Sequence, residues 1–236
     1  MNSFNSIAAA VMLLSPIAVQ AQEAAPAPAS PSGCELHIRP TANFQAMNTT
    51  MLSGFGVVGA IADAATHADK VKSVKEQMAD ILTPDVQFDE LKKIEAAKLL
   101  GFPADTALIV EKPFDAPDTI KGNPELKEKY KALEADEKAG KRLTTSTAAC
   151  YAELQVSMVF YQKAALYGTR VFTFYWLRDY RDGKPKPKAY KGMVQHNASA
   201  FPAEHIEQLE ASKAALIDAY RNDFSKWVEL KYKQAS

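Results

Sequence analysis

Several groups in this chain have residue types and spacings that bear on chemistry. Gly54-Phe55-Gly56-Val57-Val58-Gly59 reads G-x-G-x-x-G, the pattern in which a glycine turn lifts a pyrophosphate onto a helix N-terminus. That chemistry needs a buried strand just before the first glycine and an acidic residue ending a second strand about twenty residues on. Ala46 to Ser53 (AMNTTMLS) makes a poor buried strand, and twenty residues later the pattern is still helical. The glycines read better as a loosened helix start packed on a sheet, or as small-residue packing against another helix or lipid. The four His show no i,i+4 pair, and there is no Cys-x-x-Cys, so spacing makes no metal site. No G-x-S-x-G elbow or kinase-type signature appears. The carboxylate pair Asp136-Glu137 falls on a polar helix, without the apolar neighbours that raise a pKa. No catalytic, metal-binding or cofactor-binding residue is therefore expected.

Cys34 and Cys150 are the only cysteines. Each opens an alternating segment and lies on its apolar parity, so two adjacent strands facing one core would set them opposite each other as a disulfide. A lipidated Cys34 would need the cysteine directly after an apolar leader, with an aliphatic residue where Pro31 stands. A catalytic Cys-His pair has no local motif. Arg181, Lys184, Lys186, Lys188 and Lys191 crowd one loop, which reads as a solvated hairpin tip or a site for an anionic partner.

The aromatic segment Thr169 to Tyr180 (TRVFTFYWLRDY) is apolar on both parities: Phe172, Phe174 and Trp176 on one, Val171, Tyr175 and Leu177 on the other. Such a strand must be covered on both sides. Either the excursion between Pro113 and Gly140 folds over the second side, or a partner does. Tyr161, Arg170, Phe172, Phe174 and Trp176 are the candidate binding face.

These residues must be positioned by recognisable elements. Leu36 to Arg39 is a short strand stopped by Pro40. Ser53 to Leu82 has apolar residues near a 3.6 period and predicts one long helix, broken by Thr83-Pro84-Asp85. A second helix is expected from Phe88 to Leu100, ending at Gly101. Thr106 to Val110 reads as a buried strand. Asn123 to Ala139 is a polar helix with Pro124 at its first position and Gly140 at its end, and its charges pair at i,i+4 as on a solvated surface. Cys150 to Phe160 alternates without a break as a half-buried strand, and Thr169 to Tyr180 returns as its antiparallel partner. A four- or six-residue loop before Thr169 pairs Phe160 with Val171 and puts the Phe172 parity away from the main core, beside Val159 and Tyr161. A five-residue loop reverses this. The even loop is preferred because it keeps Arg170 and Arg178 out of the core and sets Glu153 opposite Arg178. A short strand near Tyr190 to Gln195 and a final helix from Pro202 to about Lys231 follow. Ile206, Leu209, Leu216, Tyr220, Phe224, Trp227 and Val228 form the final helix's apolar stripe.

The fold class is α+β: a mostly antiparallel sheet with a long hairpin, helices mainly on one face. The helix ending in Lys98-Leu99-Leu100-Gly101, the strand Thr106 to Val110 and the long hairpin after it resemble, over roughly Leu82 to Tyr180, the N-terminal domain of TolB and the core of curli-secretion lipoproteins. The resemblance is topological. It implies an envelope setting and a role in assembly or binding, and it carries over no functional residue.

Ile7 to Val19 has the length of a signal-peptide core, with small residues at Val19 and Ala21, so residues 1–21 read as a signal peptide cleaved after Ala21. Its n-region lacks Lys and Arg, and a buried N-terminal helix is the other reading. Residues 22–33 are a Pro/Ala-rich tether, and 34–236 form one domain. Lys+Arg and Asp+Glu both number 28, and this neutral balance argues against nucleic acid. No later apolar run approaches the ~20 residues of a membrane span. The expectation is an exported, periplasmic or secreted protein of a bacterial envelope. It would act without catalysis, binding an envelope protein or an apolar ligand. A small periplasmic hydrolase with a site assembled from scattered residues is the alternative.

Overall fold

A computed structural model of the 236-residue chain describes residues 33–49, 72–164, 168–184 and 186–234. The expected signal peptide, all of the expected tether but Gly33, the glycine motif at 54–59, most of the long helix expected from Ser53 and residues 165–167 lie outside the described residues.

Six strands form one sheet: β1 (Cys34–Arg39), β2 (Phe44–Thr49), β3 (Ala107–Val110), β4 (Cys150–Ala164), β5 (Gly168–Asp179) and β6 (Lys188–Asn197). The order is β3-β1-β4-β5-β6, and β2 continues beyond β1 along the same side of β4. The pairs β4/β5 and β5/β6 are antiparallel, whereas β1/β3, β1/β4 and β2/β4 are parallel. The sheet is therefore mixed, which corrects the mostly antiparallel expectation. Strand direction is not written in a strand's own alternation. It follows from the connection, and β1 reaches β3 through a helical crossover of the kind parallel neighbours require.

The crossover contains α1 (Val74–Ile81), α2 (Pro84–Lys93) and α3 (Ala96–Leu99). α1 begins at a capping box: Glu76 N–H donates to Ser73 Oγ at 3.3 Å, and Ser73 N–H donates back to Glu76 Oε2 at 2.8 Å. That cap, of a kind worth about 1 kcal/mol, starts the helix afresh at Val74, so the helix expected through Ser73 is interrupted there. Glu95, with φ of +53°, divides the second expected helix into α2 and α3. β3 lies at the sheet edge, with Val110 48% exposed, rather than buried as expected.

The disulfide joins Cys34 to Cys150, directly paired residues of β1 and β4 with Cα atoms 4.5 Å apart. Closing a loop with a sequence separation of 116 residues is worth about 4–5 kcal/mol on the chain-entropy model.

One face of the sheet, the inner face, holds the core. Leu36, Ile38, Ala152, Leu154, Val171, Tyr175 and Leu177 are buried there with Met78, Leu82 and Leu91 of α1, α2 and the turn between them. The last long helix, α6 (Leu209–Trp227), adds Leu216, Tyr220, Phe224 and Trp227, spaced to fall on one side. Tyr175 meets the rings of Phe224 and Trp227, both at 5.4 Å. A Cβ on Gly192 of β6 would stand 3.1 Å from Trp227 Nε1 and 2.8 Å from Lys231 Cγ, so this glycine lets the helix approach the strand. Ile206 and Leu209, expected in the stripe, are 70% and 42% exposed.

The alternation of β4 is broken. A bulge between Val156 and Met158 inserts one residue, Ser157. Before it Ala152, Leu154 and Val156 face the core; after it Val159 and Tyr161 do. The Ser157 carbonyl accepts from Thr41 Oγ1 at 3.3 Å and Asn43 Nδ2 at 3.4 Å, where β1 hands over to β2. Gln87 clamps that same handover, donating to the Thr41 carbonyl at 2.8 Å and accepting from Thr41 N–H at 2.9 Å.

Candidate functional site

The second face of the sheet, the outer face, carries the candidate site. Glu153 pairs with Arg178 across the hairpin, as expected. Beyond the bulge the register shifts by one, so Phe160 meets Phe172 and Tyr161 meets Val171. Phe172, Phe174 and Trp176 therefore share the outer face with Phe160 instead of with Val159 and Tyr161. Tyr161 is 1% exposed, packs edge-on against Phe201 at 5.6 Å and has its pKa pushed up to about 12 by burial. It stands on the opposite side of the sheet from the four other residues of the candidate face. Arg170 remains on the outer face and donates to Gln195 Oε1 at 3.4 Å.

The outer face has two ends. Nearest the disulfide it is polar and sealed by the segment 140–149. Glu153 Oε1 accepts from Tyr151 Oη at 2.5 Å and from Leu143 N–H at 2.7 Å, and its Oε2 lies 3.2 Å from Arg178 Nη1. Arg178 also donates to the Lys141 carbonyl and to Tyr180 Oη. Burial pushes Tyr180 up to about 12 and raises Tyr151 further. Beside them, His37 Nδ1 lies 2.8 Å from Glu111 Oε1, and His37 Nε2 lies 3.0 Å from Glu35 Oε2. Burial opposes protonation of His37, but the hydrogen bonds from Glu111 and Glu35 outweigh it and its pKa is raised. Glu35 is lowered by its bonds to His37 and Ser146.

This cluster holds a serine, a histidine and carboxylates, but not in an order that activates a nucleophile. Both His37 nitrogens are committed to carboxylates, and Ser146 Oγ donates to Glu35 at 2.5 Å rather than to the imidazole. The described residues hold no free cysteine and no group of three or more His, Cys, Asp or Glu that could hold a metal ion.

Along the same strands the face becomes an apolar cleft of about 700 Å³. Its floor is Phe174 and Trp176 of β5, Gln155 and Ser157 of β4, and Lys191 and Met193 of β6. Its roof comes from the excursion: Phe114, and α5 (Pro124–Lys138) with α4 (Pro117–Lys121) leading into it. α5 starts at Asn123, whose side chain accepts from Glu125 N–H at 3.0 Å and Leu126 N–H at 3.2 Å, and the chain leaves it through Gly140 at φ +77°. Tyr130, Leu133 and Glu137 fall on one side of α5 and point the roof at the sheet. No residue of α5 is fully buried. It is held at its inner end by Tyr130, which meets Phe114 edge-on at 5.6 Å and donates to Asp115 Oδ2 at 3.1 Å. A smaller hollow of about 210 Å³ continues past Phe114 and Tyr130 toward Thr41 and Asn43.

Charge enters the cleft at one end. The Lys191 ammonium sits over the Trp176 ring, 3.3 Å from its centroid. Glu137 is half-buried, and burial raises its pKa. The expectation that this carboxylate lacks a desolvating environment is corrected, because α5 lays its less polar side on the sheet. Two other basic residues of the loop, Arg181 and Lys184, are spent locally. Arg181 pairs with Asp179 at 2.6 Å, stacks on Phe102 at 3.9 Å and donates to the Leu100 and Gly101 carbonyls. Lys184 pairs with Asp182 at 3.5 Å.

The aromatic floor was legible in the sequence, whereas Phe114, Tyr130, Leu133, Glu137, Gln155 and Lys191 were not singled out as partners of it. The one signal was the spacing of Leu126, Tyr130 and Leu133 along an otherwise charged helix. The chain matches no protein-family model, no curated protein and no solved structure.

Proposed function

We propose that this protein is an exported, non-enzymatic binding module of a bacterial envelope, working in the periplasm, and that it takes an apolar ligand in the cleft beneath α5. The observation that carries this reading is the cleft itself: a concavity of about 700 Å³ walled by Phe114, Tyr130, Phe174 and Trp176. Binding sites for small molecules typically occupy roughly 300–1,000 Å³ and are mainly apolar with a few placed polar groups. The disulfide fits an oxidising compartment. No helix among the described residues is long and apolar enough to cross a membrane. Catalysis is disfavoured because the polar cluster next to the cleft spends its histidine and serine on carboxylates.

The test is equilibrium titration with a neutral apolar fluorophore, N-phenyl-1-naphthylamine. Saturable fluorescence enhancement is expected. Leu133→Glu in the roof and Met193→Glu in the floor should each abolish it, while circular dichroism stays unchanged, since neither position is fully buried. Absence of saturable binding, or binding unaffected by both substitutions, would overturn the reading.

A further inference from the structure

The cleft is not uniformly apolar: Lys191, Gln155, Ser157, Glu134 and Glu137 also line it, and Glu134 is paired with Lys138 at 2.8 Å. Lys191 is exposed at the mouth, with its ammonium fixed on the indole face of Trp176. No carboxylate forms an ion pair with it among the described residues, whereas Arg39 pairs with Glu111 and Arg178 with Glu153. Gln155 presents an amide to the same cleft. The Trp176 indole N–H is buried and has no hydrogen-bond partner among the described residues. On the roof, Glu137 is the nearby carboxyl. Burial raises its pKa, against the attraction of the Arg178 and Lys191 charges. Away from this end the walls are Phe174, Met193, Leu133 and Phe114.

We propose that the ligand is a single-chain amphiphile with a carboxylate headgroup. Its apolar chain would lie between Phe174 and the α5 roof, and its headgroup would meet Lys191 at the mouth. The inference rests on the reading of the cleft as a ligand site and adds the sign of the ligand's charge. A cationic amphiphile is disfavoured on the same geometry, because the ring face of Trp176 that would receive it is already covered by the Lys191 ammonium. Placing the charge at the mouth leaves the headgroup partly hydrated, so the ion pair tunes selectivity more than total affinity.

The experiment uses the mature wild-type protein and three ligands with the same ten-carbon chain, decanoate, decanol and decyltrimethylammonium, each kept below its micellar concentration. They compete against bound N-phenyl-1-naphthylamine. Decanoate should displace the probe at about fivefold lower concentration than decanol, the worth of one partly exposed ion pair. Decyltrimethylammonium should be the weakest competitor. Lys191→Gln should bring decanoate to the level of decanol, and Lys191→Arg should keep the preference. Equal competition by all three ligands, a preference for the cation, or a decanoate preference that survives Lys191→Gln would overturn the charge assignment while leaving the cleft reading intact. Failure of the probe itself to bind would overturn both.

Discussion

At the end of the outer face nearest the disulfide, β4 and β5 carry Tyr151, Glu153, Arg178 and Tyr180, and the segment 140–149 closes over them with hydrogen bonds and an ion pair. A few residues further along, the same two strands carry Gln155, Phe174 and Trp176, and the cover is a helix with no fully buried residue. The difference lies in what each chemistry demands of its lid. A buried charge left unpaired costs several kcal/mol, so a polar end must be closed completely or not at all. An aromatic surface under a loose cover costs only its unburied area. An apolar end therefore tolerates a standing cleft, and a ligand recovers the missing burial.

The comparison is broken most severely at the polar end. Glu153→Leu leaves the buried Arg178 guanidinium without its paired carboxylate, and the expected loss is about 3–5 kcal/mol in urea unfolding. The double replacement Glu153→Leu with Arg178→Met should restore part of it. If the single change costs less than about 1 kcal/mol, this end is not the sealed, charge-matched structure described.

Trp176→Ala probes the boundary between the two ends. A fully buried tryptophan would cost about 3–5 kcal/mol; this one is only partly covered, and about 1–2 kcal/mol is expected. Probe binding should be lost in the same variant. A large loss of stability with binding intact would show that the indole is core and that the cleft lies elsewhere.

The smallest effect is the pH dependence of the polar end. His37 has a raised pKa, so the folded state holds its proton more tightly than the unfolded chain does. That stabilisation is complete below the unfolded value of about 6.5 and fades as pH rises through the folded value. Asp223, on the buried side of α6 and accepting from Thr173 Oγ1 at 2.8 Å, is pushed up to about 7 by burial. Its ionisation also lowers stability with rising pH, but in the window from its unfolded value up to about 7. Thermal melts across pH should show two successive declines. His37→Gln should remove the higher one and Asp223→Asn the lower. A higher decline that persists in His37→Gln would remove the imidazole from the account.

Much of the scaffold was readable locally. The disulfide followed from two cysteines on the apolar parity of two strands, and it joins the residues expected. Asn123, Pro124 and Gly140 marked α5 within a residue at each end, because caps act through neighbouring backbone. Glu153 stands opposite Arg178 as expected, but not through the even loop: Ala164 pairs with Gly168, leaving an odd three-residue connection, and the bulge restores the pairing. The same reasoning failed eight residues away, where the bulge at Ser157 reversed the parity of β4 and sent Tyr161 to the core. The groups holding the Ser157 carbonyl, Thr41 and Asn43, lie more than a hundred residues earlier in the chain, beyond any local pattern.

The sequence by itself determined the two strands of the hairpin, the long helix of the excursion and the body of the last helix, though not α4 or the start of α6 at Leu209, and which strand of the sheet is aromatic on both sides. Periodicity, capping and turn chemistry are local, and each is settled within a few residues. The tertiary structure alone decided that β1, β2 and β3 run parallel to their neighbours, and that one residue of slippage at Ser157 moves Tyr161 to one side and Phe160 to the other. It also decided between the two covers the sequence left open for the aromatic side, laying the excursion over it as the roof of a cleft. These outcomes depend on which backbone carbonyls and ring faces meet across long separations in the chain, and that free energy is released only when distant segments come together.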